Sequence, residues 1–220
     1  MTVELEFVAR GDSRYQDIRD RHYVANKGCH GQQLHFIIWN DGEIAGIISG
    51  ASSVYAVAPR DAFFGIPKDP AQKQTYYLPA IVNNVVFRLE VHQPNLATQT
   101  LRLWRETTAR LWEHIYGVPV IGFETFVVEE DWRKGSLYKA DNWVLVGETQ
   151  GSTKVHAEGM AIAHTRADTT PKLVYCRWKK RKMTPTTPYI ASWRASTDDE
   201  KIRASRIRQM RSDLVGARFR

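Results

Sequence analysis

The sequence predicts an α/β protein: a mixed central sheet flanked by helices, followed by a basic C-terminal extension. Three observations carry this reading. β-rich runs recur along the chain with helical segments between them. One long amphipathic helix lies near the middle, over about 95–116. From Val118 to Lys154 the chain reads strand, short polar segment, strand, with ionisable groups between the strands. Its 220 residues, 43% of them hydrophobic, suffice for one sizeable core.

The elements follow in order. Glu4 to Arg10 alternates and reads as an edge strand. Asp12 or Ser13 caps a helix running to Arg21, with Tyr15, Ile18 and His22 at helical spacing. A glycine-containing loop leads to Leu34–Trp39, the turn Asp41-Gly42, and Glu43–Ser49. Two β-rich runs around Asp-Gly form the strongest hairpin signal in the chain. Val54 to Tyr77 reads as a short helix plus loop, and Leu78 to Val91 as a strand. Asn95 caps the long helix, whose apolar stripe is Leu96, Thr100, Leu103, Trp104, Thr107, Leu111 and Ile115. Gly117 and Pro119 end it. Val120–Val128, Trp143–Gly147 and Leu173–Trp178 are strands. The last helix runs from about Asp198, capped by Thr197 or Asp198, to Val215.

Charge is unevenly placed. The chain carries a formal +7, and from Arg166 onward fifteen Lys and Arg face five Asp and Glu. A neutral-to-acidic body with a basic last quarter suggests a polyanion partner, most simply nucleic acid; a merely soluble basic surface is the alternative. No apolar run reaches the roughly 18 residues of a membrane span. The acidic, strand-like start is not a signal peptide. Cys29 and Cys176 form no framework. A reduced cytoplasmic setting is expected, with no membrane partner, and a homodimer is compatible with the sequence.

Glu124 interrupts an otherwise apolar strand. An unpaired carboxylate there would cost several kcal/mol, so it faces water or has a partner. Tyr138, Lys139, Asp141 and Asn142 follow in the polar segment. Asn83 and Asn84 open the VVFRLEV strand, either as a turn or as amides that hold a base edge. In KLVYCRWKKRK, Arg177, Lys179, Lys180, Arg181 and Lys182 adjoin Trp178, a composition that can lie along phosphates and offer a stacking ring. His22-Tyr23 sits at a helix end, where a His can simply stabilise the C-terminus. HExxH, a P-loop, G-x-S-x-G and an NPPY-type tetrapeptide are all absent.

The order strand, helix, hairpin, strand, long helix, strand, short helix, strand resembles that of the acyl-CoA N-acyltransferase (GNAT) superfamily. The resemblance implies that the turn VHQPNLATQT, with Asn95 and Thr98 at a helix N-terminus and Arg88 before it, holds the pyrophosphate of an acyl-CoA. The usual Q-x-x-G-x-G/A pattern is missing there. A sharper resemblance rests on His22-Tyr23, Asn83-Asn84, NLATQTL, GFETFV and GSLYKADNWVLVGETQGSTK. These are similar to the Mom family of phage DNA-modification proteins and to the DruA protein of Druantia anti-phage systems, over roughly Tyr15 to Arg181.

The resemblance implies a catalytic domain at 1–184, with a basic loop and helix at 185–220 that packs on it or binds DNA. It implies transfer of an acyl or carbamoylmethyl-type group to the N6 amine of adenine in phage DNA, protecting it from restriction. The donor would be acetyl-CoA or another activated acyl or aminoacyl compound. An iron site would comprise His22, Tyr23, Glu124 and Tyr138, with Glu124 where the family has Asp. Glu124, Tyr138 and Tyr23 become the catalytic candidates. Asn83, Asn84, Lys139, Asn142 and the cations from Arg177 to Lys182 become contacts to double-stranded DNA. The target adenine must be flipped out, with Trp39, Phe63, Phe64, Trp132 or Trp178 as wedge. Two alternatives stay open: a non-catalytic nucleic-acid-binding module, and a GNAT enzyme acylating an RNA or protein amine.

Overall fold

The structure, a computed structural model, describes residues 2–22, 31–131, 134–149, 170–180 and 199–220. Its chain order is β1 (Val3–Val8), α1 (Ser13–Asp20), β2 (Gln33–Asn40), β3 (Glu43–Ser52), α2 (Ala58–Phe64) and α3 (Pro70–Gln72). There follow β4 (Ile81–Leu89), α4 (Leu96–Tyr116), β5 (Gly122–Val127), α5 (Ser136–Ala140), β6 (Val144–Glu148), β7 (Leu173–Trp178), α6 (Glu200–Leu214) and β8 (Arg218–Phe219). All eight strands form one sheet in the order β6-β7-β5-β4-β3-β2-β1-β8. The sheet is mixed because β4 and β5 run parallel while the other neighbours are antiparallel.

Local chemistry accounts for most elements. The Asp12 side chain accepts from the amides of Arg14 and Tyr15 and so starts α1. Asp41 and Gly42, at φ 49° and 91°, make the tight β2–β3 turn. The stripe of α4 is buried except for the half-buried Leu103; Trp104 and Trp112 are fully enclosed, and Trp104 packs on Phe123 of β5 at 5.4 Å. Gly117 closes the helix at φ 67°.

Four expectations are corrected. The β1 strand is not an edge: β8 pairs with it, Leu5 opposite Phe219 and Glu6 opposite Arg218. Leu78 is not in a strand, because Lys73–Tyr77 is a π turn and Leu78–Ala80 a 3₁₀ turn; β4 starts at Ile81. Asn95 does not cap α4 through its side chain. It sits in the left-handed region, φ 65°, with no side-chain cap bond. For α6 the cap is Asp199, which accepts from the amides of Lys201 and Ile202; Thr197 and Asp198 lie outside the described residues. The C-terminal segment packs on the body. Arg211 donates to Gln33 O and to the Tyr116 hydroxyl, and Arg220 pairs with Glu4.

Candidate active site

The site begins with a fork in the sheet. The strands β4 and β5 are paired only where Ile81–Asn83 face Gly122–Glu124. The β3–β4 register slips in the same place: Gly50 faces Asn84 and Ser49 faces Val86, so Val85 has no partner on β3. A bulge of this kind bends its strand and re-aims the following side chains.

A polar cluster fills the fork. The side-chain amide of Asn84 donates to Ser49 O at 3.1 Å and to Val86 O at 3.2 Å, which fixes its oxygen outward from the strand. The Tyr138 hydroxyl, from α5, donates to that oxygen at 2.9 Å. From β5, the Thr125 hydroxyl donates to Asn84 O at 3.0 Å and lies 3.3 Å from the Tyr138 oxygen. Tyr138 is half-buried, stacked on Tyr175 and met edge-on by Trp143.

Glu124 points the other way, since successive residues of a strand face opposite sides of the sheet. It meets Arg60 of α2: Arg60 Nη1 donates to Glu124 Oε2 at 2.7 Å, with both side chains fully buried. Arg60 also donates to Asp61 and to Val54 O, and Lys73 pairs with Asp61. Glu124 Oε1 has no hydrogen-bond partner, and neither has Asn83 Oδ1 on its register partner. Burial raises the Glu124 carboxyl above the ordinary carboxylate range, against the lowering influence of Arg60 and the nearby Ser53 hydroxyl. The same enclosure pushes the Cys176 thiol up, helped by the neighbouring Glu124 charge.

The remaining candidates scatter. His22 follows the end of α1, where Arg88 Nη1 donates to Arg21 O and Arg88 Nε to Glu90. That end of β4 lies five residues, roughly 16 Å, from Asn83. Tyr23 lies outside the described residues. His22 therefore does not converge with Glu124 and Tyr138, and the three described members of the expected iron set do not fit a metal. Among the described residues no group of three His, Cys, Asp or Glu could hold one. Asn83 and Asn84 are buried, and Asn84 spends its amide hydrogens inside the sheet. Lys139, Asn142 and Lys180 are exposed, while Arg177 and Lys179 are half-buried. Arg181, Lys182 and Trp132 lie outside the described residues. Asn95 and Thr98 stand at the N-terminus of α4; the Thr98 hydroxyl donates to Asn95 O at 3.0 Å. Phe63 and Phe64, at the end of α2, cluster with Trp178 of β7 at 5.8 and 4.8 Å. Trp39 donates to Glu6, with Arg218 over its ring. Among the described residues no helix is long and apolar enough to cross a membrane.

Sequence reasoning missed Arg60 as the partner that Glu124 required; the two are 64 positions apart. It also missed a buried network on the α1 face. There Tyr15 and Ser49 hydroxyls share a hydrogen bond at 2.7 Å, and both touch His35 Nδ1. A His on a strand otherwise rich in apolar residues was the one available signal.

This architecture, a mixed sheet opened between β4 and β5 with a long helix after β4, is the GNAT fold. An acetyltransferase of Bacillus subtilis in complex with CoA is similar at a TM-score of 0.50 and 10% identity, over 80% of this chain and 97% of that one. NAA60 of Arabidopsis thaliana, in complex with a bisubstrate analogue, aligns at 0.48 and 12%, over 80% and 99%. An acetyltransferase of Salmonella typhimurium that modifies the N-terminal serine of ribosomal protein L7/L12 aligns at 0.42 and 13%, over 67% of this chain and 64% of that one. Within this fold, the chain belongs to the DruA family: the model of Druantia protein DruA matches residues 1–185. A comparison with curated protein sequences finds no match.

Proposed function

We propose that this protein is an N-acyltransferase that moves an acyl group from a coenzyme A thioester to an amine of nucleic acid, the N6 amine of adenine in DNA. The observation that carries the reading is the fork: a gap between parallel strands, with one tyrosine hydroxyl held inside it by Asn84 and Thr125.

The residues suit an acyl-CoA. Helix α4 begins without a side-chain cap at Asn95; the Leu96 amide donates to Gln93 O, which leaves the amides of Ala97 and Thr98 and the helix dipole to meet a pyrophosphate. Thr98 lies in that first turn. When bound, the donor supplies an activated carbonyl and a thiolate leaving group. Tyr138, on the α5 face, is the proton source for the departing sulfur. Glu124, at the paired end of the fork on its α2 face, is assigned as the acceptor for the proton of the attacking amine, through the Oε1 that Arg60 leaves without a hydrogen bond. Its raised affinity for protons makes it a stronger base than an exposed carboxylate. An aryl amine is a poor nucleophile, so alignment and a base carry much of the rate.

The support for a nucleic-acid acceptor is charge. Lys172, Arg177, Lys179 and Lys180 line the β7 strand and its ends, and the basic last quarter follows. The other ground for choosing DNA is the resemblance of the sequence motifs, GFETFV and GSLYKADNWVLVGETQGSTK among them, to phage DNA-modification proteins. Modified DNA should then resist restriction. The test is expression in cells followed by digestion of DNA, RNA and protein and mass spectrometry of each. A shifted deoxyadenosine that disappears in Tyr138→Phe supports the reading. A shift confined to RNA nucleosides or to protein amines moves the acceptor to those classes, and no shift in any fraction rejects the transferase.

A further inference from the structure

The short helix that carries Tyr138 has little to hold it in place by itself. The α5 helix is five residues long, begins at Gly135 with φ 69° and has no side-chain cap. Isolated helices of this length do not persist in water. Its position is set at its C-terminal end by Asp141.

Asp141 accepts two parallel bonds from Arg105 of α4, Nε to Oδ2 and Nη2 to Oδ1, each 2.8 Å. This is the fork-to-fork geometry that fixes direction as well as distance. The indole of Trp143 donates to the same Oδ2 at 2.8 Å. Both Arg105 and Asp141 are buried, so the pair is weakly screened. The Trp143 ring then abuts the Tyr138 ring at 5.2 Å and 67°, and the Trp143 amide donates to Tyr138 O at 2.9 Å. A second guanidinium, Arg177 Nη1, approaches Asp141 Oδ1 at 3.9 Å without a hydrogen bond. One carboxylate thus ties α4, α5 and the start of β6 into a single clasp, and Tyr138 is the side chain that the clasp aims into the fork.

We infer that Asp141, with Arg105 and Trp143, is the positioning device of the site: it fixes the Tyr138 hydroxyl at the β4–β5 fork. Asp141 acts through Tyr138 and touches no reactant. The inference deepens the acyltransferase reading and rests on it for its kinetic consequence, but its structural content stands apart from that chemistry.

The experiment has two arms on the full chain. In the first, 3-fluorotyrosine is placed at position 138 and its ¹⁹F line is followed in wild type, Asp141→Asn and Arg105→Lys. Asp141→Asn keeps the shape and an acceptor for Trp143 but removes the charge. The line should shift and broaden in Asp141→Asn and, to a lesser extent, in Arg105→Lys, which keeps the charge but loses the second bond. In the second arm, transfer from acetyl-CoA to duplex DNA is measured for Asp141→Asn, Tyr138→Phe and the double variant. Asp141→Asn alone should lower kcat on the order of 10- to 100-fold, the usual effect of misplacing a reacting group by about 1 Å. Its effect should vanish in the Tyr138→Phe background, because residues acting as a unit are not additive. An unmoved fluorine line in both variants overturns the inference, as does a full additional loss in the double variant. If the line moves and no variant or wild type transfers an acyl group, the positioning stands and the acyltransferase reading falls.

Discussion

Tyr138 and Asn84 meet at 2.9 Å across the opening between β4 and β5, one from a five-residue helix and the other from a bulged strand. Asn84 cannot turn away, because its amide is spent on Ser49 O and Val86 O. The hydroxyl proton therefore has a defined resting place in the absence of a reactant.

Tyr138→Phe preserves the ring contacts with Trp143 and Tyr175 and deletes this one hydroxyl. Stability should fall by about 1 kcal/mol, the net worth of a hydrogen bond. Acyl transfer should fall by roughly 10²- to 10⁴-fold, the contribution of a positioned proton donor. Steady-state kinetics beside urea unfolding checks both; activity within twofold of wild type removes Tyr138 from proton transfer.

The pair Glu124–Arg60 is fully enclosed. Glu124→Ala should cost about 3 kcal/mol or more, because it leaves Arg60 with less compensation. Glu124→Gln should cost less, since the amide oxygen still accepts from Arg60. The double variant Arg60→Leu/Glu124→Leu should be more stable than Arg60→Leu alone. Urea midpoints of the set decide; a Glu124→Ala midpoint equal to wild type contradicts the pair's role.

His35 gives a pH dependence with a definite sign. Burial, with Arg211, Arg10 and Arg19 adding to it, lowers its folded value from 6.5 to about 3. Below pH 6.5 the unfolded chain binds a proton that the folded protein refuses. The stability from this group is complete above 6.5 and declines as pH falls towards 3, by at most about 1.4 kcal/mol per pH unit. Melting temperatures from pH 7 to pH 4 should fall more steeply in wild type than in His35→Gln. Parallel curves would mean that His35 is not the acid-sensitive group.

Thr98→Asp places a carboxylate in the first turn of α4, beside the amides assigned to the donor pyrophosphate. At about 4 Å and an effective dielectric near 20 the repulsion is on the order of 4 kcal/mol. The same charge is neutral to favourable for the helix itself. Calorimetry should show coenzyme A affinity falling sharply while the melting temperature holds. Equal affinity in the two proteins would move the pyrophosphate elsewhere.

Truncation after Thr184 removes the basic helix and β8 together. DNA affinity should weaken and its salt slope flatten. Stability should also fall, by roughly 2 kcal/mol or more, because Arg211 no longer bonds Tyr116 and Gln33. The edge of β1 is then uncovered. Restoring Glu200–Arg220 with its arginines outside 211, 218 and 220 changed to Gln should recover stability but not DNA affinity. Recovery of both would place the DNA contact elsewhere.

Local pattern by itself determined the elements and the class of fold. The α4 stripe, the Asp41-Gly42 hairpin and the strands around Phe123 and Tyr175 are legible because helix and strand periods and turn chemistry act over a few residues. The order of those elements was enough to suggest the GNAT sheet, and the odd carboxylate at Glu124 was enough to demand a partner. Tertiary structure alone decided who that partner is and where the candidates face. The alternation of β5 places Glu124 against Arg60 on one face and Thr125 against Tyr138 on the other, and a single-residue slip at Val85 sets how Asn84 meets the same Tyr138. Side-chain parity in a strand is set by register with distant strands, so one skipped residue reassigns it. The pairing of β8 with β1, the left-handed turn at Asn95 and the Arg105–Asp141 clasp share that origin. Each joins segments far apart in the chain or depends on how they pack, and no window of sequence contains both sides of the contact.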